Sequence, residues 1–376
     1  MTFRYDDPTS LNAKLYQLNW LLPVLAAVLG FVGVLAILSA TNGVWGAGAM
    51  QHGVRIAVAF LAMLIVALID IRFWYNMAYP AYLGALVLLV LVDQFGINVN
   101  GSQRWLGVGP VRVQPSELMK PAVVLAVARY YHDLPSWRVS DPTGLAGGLL
   151  LIGLPMMLVL RQPDLGTSLL IGATGVAVIF IAGVSWRVIS LASVLAAVSV
   201  PIVWQFGLKA YQRERILTFL DPSRDPAGAS YHITQSKIAF GSGGVSGKGF
   251  QQGTQRGGGY VPENRTDFIS TIIGEEFGFV GTMALMGLYI AVIAACIRLS
   301  LQCKAVFSRL LVLGLTVTFT LYIFINLGMV TGLLPVVGVP LPLVSYGGTV
   351  VLVVMGGFGL MLSAHLHSGS TLPKSD

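Results

Sequence analysis

Apolar stretches of about twenty residues recur from Leu21 almost to the C-terminus, and this recurrence limits the possible folds more than any other feature of the chain. A helix needs about 20 apolar residues to cross the hydrocarbon of a bilayer. In lipid it must satisfy its own backbone hydrogen bonds. Ten segments qualify: 21–40, 54–71, 78–95, 115–132, 143–161, 165–184, 186–207, 269–298, 308–330 and 343–366. Only 10% of the 376 residues are charged while 55% are hydrophobic, too few charges to clothe a soluble domain of this length. The expected fold is an all-α polytopic membrane protein with ten transmembrane helices in one membrane domain, 1–376. Residues 1–20 and 367–376 are its tails, and 208–268 is a long loop between the seventh and eighth spans. Met1–Trp20 is polar, without an apolar signal core, so no cleaved signal peptide is expected.

An even number of spans puts both termini on one side. Lys and Arg in short loops favour the cytoplasm. The terminal side carries ten, from Arg4 to Lys374, against five (Arg55, Arg104, Arg112, Lys120 and Arg161) on the other; the remaining eight lie in 208–268. Cytoplasmic termini follow if that loop, at the length limit of the rule, is left out. The net charge of +7 is dispersed, without basic runs interleaved with aromatics, which argues against nucleic-acid binding and for anionic headgroups or a phosphate-bearing substrate. Cys296 and Cys303 form no disulfide framework or zinc pattern, and the five histidines lack metal-ligand spacing.

Acids at the edge of an apolar span are costly unless they are paired or used. Asp267, Glu275 and Glu276 stand where the chain re-enters the membrane after the long loop. Asp267 or Thr266 can serve as a helix N-cap; that does not explain the two glutamates deeper in the span. Asp267 and Glu275 are about 80° apart around a helix of 3.6 residues per turn, so both can face one cavity. Gly274 and Gly278 bracket the pair and permit close helix packing. Glu117 and Lys120 share a helix face, either as a mutual ion pair or as a polar wall. Arg104 and Trp105 lie just outside; the arginine suits a pyrophosphate, and the tryptophan is also a common interfacial anchor. Asp164 is either the N-cap of the sixth span or a site acid beside Arg161. The stretch Thr331–Gly348 is apolar but so rich in Pro and Gly that it cannot be a regular helix. It must be buried or line a wet cavity, with Ser345 and Tyr346 in that lining. Within the long loop, Tyr231–Phe240 has helix-like apolar spacing suited to a membrane surface.

These stretches carry a resemblance that runs from Gly101 to the last span. Gln103-Arg-Trp105, Gln114-Pro-Ser-Glu117 with Lys120, Gln162-Pro-Asp-Leu-Gly-Thr-Ser168, Tyr211-Gln-Arg-Glu-Arg215, Asp221-Pro222 with Asp225-Pro226, Gln235-Ser-Lys-Ile-Ala239, Gly241-Ser-Gly-Gly244, Gly247-Lys-Gly249, Pro262-Glu263 with Thr266-Asp-Phe-Ile269, Gly274-Glu-Glu276 and Gly338–Gly348 follow in order. The chain resembles the SEDS family (shape, elongation, division and sporulation), in its rod-elongation branch. One departure is that Arg265 stands where the family usually has His, so no titrating group is available there.

The resemblance implies a bacterial inner-membrane peptidoglycan glycosyltransferase that polymerises lipid II, a disaccharide-pentapeptide on undecaprenyl pyrophosphate, during elongation. It matches Asp267 to the family's essential aspartate, the expected base for the acceptor hydroxyl. Arg104, Trp105, Glu117, Lys120, Asp164, Arg213, Arg215, Lys237 and Ser345 become candidate substrate contacts. Arg104, Lys120, Arg213 and Arg215 are expected to offset charge on the departing pyrophosphate, with or without a divalent cation such as Mg or Mn. The implied partners are a class B penicillin-binding protein of the penicillin-binding protein 2 type and other rod-complex proteins. A flippase for lipid-linked precursors is the competing reading, and a scaffold for the transpeptidase is a third.

Overall fold

In the computed structural model the described residues are 11–46, 48–99, 102–108, 111–208, 210–221, 229–254 and 265–373. Gly101, Asp225-Pro226 and Pro262-Glu263 lie outside them. The helices, in order, are α1 Leu11–Gln17, α2 Leu21–Ala40, α3 Ala49–Leu68, α4 Ile71–Phe95, α5 Pro115–Asp133, α6 Pro142–Arg161, α7 Leu165–Ile181, α8 Trp186–Ile202, α9 Ala210–Leu220, α10 Ala229–Gly243, α11 Ile269–Gln302, α12 Val306–Val330 and α13 Gly348–Leu366. The protein is an all-α polytopic membrane protein. Among the described residues eight helices are long and apolar enough to cross a membrane. The other two expected spans correspond to α5, which carries four charges besides a histidine, and α7, which has only 17 residues.

Burial explains why charges survive in α5. This helix is enclosed along most of its length, as are α12 and α13, and the three form the centre of the bundle. Helix α8 lies at the other extreme, apolar all round with its described residues largely exposed, as a helix bathed in lipid should be.

Two features depart from a simple helical bundle. The connection from α4 to α5 is a small antiparallel sheet, β1 Ile97–Val99, β2 Ser102–Val108 and β3 Val111–Val113, in sequential order. Trp105 pairs with Ile97, and Leu106 with Val113. The eighth expected span is also not one regular helix. Gly278 breaks α11 with φ 64° and ψ −155°. The loop after α10 fills the break: Phe279 N–H donates to Gly244 O (2.9 Å) and Val280 N–H to Val245 O (3.1 Å), while Lys248 and Gly249 N–H donate to Glu275 O and Glu276 O (3.1 and 3.0 Å). Backbone groups released by the kink are thus satisfied by a loop from outside the helix. A Cβ on Gly278 would stand 2.4 Å from Gly247 N, so the glycine permits the approach of this loop rather than of another spanning helix.

The stretch from Thr331 to Gly347 is irregular, as its composition predicts. Leu341, Leu343 and Val344 are fully enclosed. His52, at the start of α3, bonds the Leu343 carbonyl at 3.2 Å. The part of the loop from Val339 to Ser345 therefore packs largely inside protein, the condition for non-helical backbone at membrane depth, while Leu333 nearer its start is exposed.

Candidate active site

Asp267 lies in a turn at 265–268, one residue before the N-cap of α11, which is Phe268 with no capping side chain. The N-cap reading of Asp267 or Thr266 is therefore set aside. Three consecutive carbonyls of this turn are taken by donors from the 331–347 loop and from α12. Tyr346 N–H donates to Arg265 O (2.8 Å), Ser345 Oγ to Thr266 O (2.5 Å) and Asn326 Nδ2 to Asp267 O (2.7 Å). The half-buried carboxylate faces the 331–347 loop, where a Cβ on Gly338 would lie 3.5 Å from Asp267 Oδ2. Gly338 has φ 73°, a conformation that favours glycine. Arg265 itself is exposed.

The far side of the same loop is pinned to α3. Tyr346 donates to Gln51 Oε1 at 2.7 Å, and the Arg55 guanidinium stacks 4.4 Å over its ring. Lys237, exposed on α10, extends towards Gly332 at the loop's start; a Cβ there would be 2.7 Å from its Nζ. Ser345 is 2% exposed, and its hydroxyl also accepts from Leu341 N–H at 2.8 Å. It ties two stretches of backbone together.

The deeper acids have partners of their own. Glu275 Oε1 accepts from Lys248 Nζ (2.7 Å), Thr254 N–H (2.7 Å) and Thr254 Oγ1 (3.0 Å). Glu276 accepts from Ser39 Oγ on α2. The Glu275 carboxylate secures the loop that plugs the helix break, and the Glu276 carboxylate joins α11 to α2.

Glu117 and Lys120 form a buried pair, 2.6 Å apart, closed by the Tyr322 hydroxyl, which donates to Glu117 and accepts from Lys120. Arg104, on β2, donates to the carbonyls of Gln162 (3.3 Å) and Pro163 (2.5 Å) and lies 3.5 Å from Asp164. Asp164 caps α7, accepting from Thr167 N–H at 3.1 Å and Thr167 Oγ1 at 3.0 Å. Trp105 is half-buried beside this network. On α9, Arg213 is half-buried and donates to Gln205 O (2.7 Å), and Arg215 is exposed. No three His, Cys, Asp or Glu side chains gather as a ligand set for a cation among the described residues.

Between α3, α4, α5 and α13 runs an apolar groove of about 400 Å³, lined by Trp74, Leu88, Leu118, Leu125, Leu352 and Leu360 among others. The sequence reading did not anticipate this groove, nor Asn326, Ser39, Lys248, Thr254 and Tyr322 as partners of the site acids. Asn326 had a signal: it is a lone amide in an apolar span, a pattern that marks a polar contact inside a bundle.

A many-span bundle with an irregular loop set against one membrane-edge carboxylate defines a class of membrane proteins, and comparison with known proteins makes the class specific. The chain matches the FtsW, RodA and SpoVE family, described as cell cycle proteins, over residues 16–370, and belongs to that family. It is 45% identical over 330 residues to the peptidoglycan glycosyltransferase MrdB of Escherichia coli K12, covering 86% of this chain and 89% of MrdB. Its fold is similar to a chain in a peptidoglycan synthase complex described as coordinating polymerization and crosslinking (TM-score 0.80, 32% identity, 93% of this chain and 97% of that one). It is also similar to the rod shape determining protein RodA of Thermus thermophilus (TM-score 0.70, 27% identity, 93% and 96%).

Proposed function

We propose that this protein is a peptidoglycan glycosyltransferase that polymerises lipid II during cell elongation, with Asp267 as the base for the acceptor hydroxyl. The observation that carries the reading is the position of the carboxylate. It is held on a hydrogen-bonded turn, one residue before the N-cap of a membrane helix, against the irregular loop that leads into α13. An acid at that level meets a sugar hydroxyl borne just above a lipid headgroup. In the step, the acceptor oxygen attacks the anomeric carbon and the bond to the pyrophosphate oxygen breaks. The lipid pyrophosphate leaves with the electron pair and the hydroxyl proton passes to Asp267. Such proton transfer contributes about 10²–10⁴-fold. A single displacement inverts the anomeric centre without a covalent enzyme intermediate. The apolar groove suits an isoprenoid chain by its lining. Arg215 and Lys237 have exposed cationic groups able to meet a pyrophosphate. Arg104, Lys120 and Asp164 are engaged with protein partners, and in this reading they hold the scaffold around the site.

The same reading places the protein in the bacterial inner membrane with both termini cytoplasmic and 208–268 outside. A class B penicillin-binding protein of the penicillin-binding protein 2 type would cross-link the new strand within the rod complex. The test uses purified protein with labelled lipid II in detergent, alone and with that transpeptidase. Glycan polymer formed with no membrane to cross supports the enzyme. Translocation in vesicles without polymer under either condition replaces it with a flippase.

A further inference from the structure

The three captured carbonyls at 265–267 lie on the backbone that carries the acid, and one of their donors is doubly engaged. Asn326 is fully enclosed on α12. Its single amide nitrogen donates one hydrogen to Asp267 O and the other to Val339 O, both at 2.7 Å. Val339 adjoins Gly338, the residue faced by the Asp267 carboxylate. One side chain thus joins the backbone on the two sides of the site. The orientation of the amide follows from chemistry, since its oxygen turned the same way would confront two acceptors. Ser345 repeats the device one residue earlier, joining Thr266 O to Leu341 N–H.

Resting on the reading of Asp267 as the base, we infer that Asn326 is a positioning residue for the transfer, with Ser345 as its second point. Fixing the carbonyl of Asp267 fixes the peptide plane that follows it, and with it the direction of the bond to the carboxylate-bearing side chain. Two hydrogens on one neutral nitrogen are what the site requires. Asp has the same size but no donor when ionised, and Leu has the volume but leaves two buried carbonyls unmatched. Because the residue acts through Asp267, its loss should fall on turnover and spare substrate capture. A misplacement of about 1 Å can cost on the order of 100-fold in rate.

The test measures kcat and KM for lipid II polymerisation, with thermal unfolding as a control. The variants are Asp267→Asn, Asn326→Leu, Ser345→Ala, Ser345→Thr and the double variant Asp267→Asn with Asn326→Leu. The expected result is a kcat about 100-fold lower for Asn326→Leu, a smaller loss for Ser345→Ala, and KM within about twofold in both. Ser345→Thr, which keeps the hydroxyl, should be more active than Ser345→Ala. The double variant should be no slower than Asp267→Asn alone, since two groups acting as one unit are not additive. Should Asn326→Leu fail to fold, the Ser345 pair decides. Wild-type turnover in Asn326→Leu or Ser345→Ala beside an impaired Asp267→Asn overturns the clamp and leaves the base intact. A loss confined to KM, or a full further loss in the double variant, also overturns positioning. An unimpaired Asp267→Asn removes the base and the clamp with it.

Discussion

Lys120→Met should destabilise the protein by an amount that the buried pair sets. The Lys120 and Glu117 side chains are 2% and 4% exposed, with Nζ 2.6 Å from Oε1. Removing the ammonium strands a carboxylate inside the bundle with the Tyr322 hydroxyl as its remaining partner on this face. Breaking such a pair from one side costs about 3–5 kcal/mol, a large share of the roughly 5–15 kcal/mol that typically holds a fold together. Replacing the whole cluster, Glu117→Leu with Lys120→Met and Tyr322→Phe, removes both charges and the hydroxyl and should return stability to near the starting value. The assay pairs unfolding in detergent with lipid II polymerisation on the same samples. The single variant should unfold more readily, and the triple variant should recover stability and activity together. A Lys120→Met protein as stable as the parent refutes the argument from the buried pair. A triple variant that is stable but inactive assigns these side chains to the substrate.

Other expectations follow from single contacts. Gly338→Ala forces a Cβ into a left-handed conformation beside Asp267; a cost of about 1–2 kcal/mol should slow polymerisation while circular dichroism shows unchanged helix content. Lys248→Met removes a cation from Glu275, whose side chain is 1% exposed, so the loop at 243–254 should loosen by about 1–3 kcal/mol and be cut faster in limited proteolysis. Burial pushes the Cys303 thiol up to about 11, and Arg309 only partly offsets this. Since the thiolate is the reactive form and the side chain is buried, maleimide labelling of the folded protein should be negligible near neutral pH and become rapid once the protein is unfolded in denaturant; rapid labelling of the folded protein at neutral pH would contradict the burial.

Much of the bundle was legible because lipid demands long apolar segments, and those are visible residue by residue. The pairing of Glu117 with Lys120 was one of two readings their spacing allowed, and capping by Asp164 one of two readings of its place before α7. The irregular stretch at 331–347 followed from its prolines and glycines. The break at Gly278 was not legible, because a glycine in an apolar run reads equally as a packing residue; the kink exists only because a loop about thirty residues earlier supplies its hydrogen bonds. The sheet at 97–113 was too short for an alternation signal. Asp267 was legible as an acid out of place. Its clamp was hidden because Asn326 lies 59 residues from Asp267 and Ser345 lies 79 residues from Thr266 along the chain, and their partners are backbone carbonyls that carry no sequence signal.

The most direct measurement compares single-turnover polymerisation of lipid II by the wild-type protein and by Asp267→Asn, a change that keeps the size of the side chain and removes its basicity. The expected result is a rate lower by about 10²–10⁴-fold, with the same melting behaviour and the same lipid II binding. A folded Asp267→Asn protein that polymerises at the wild-type rate would contradict the assignment of Asp267 as the base.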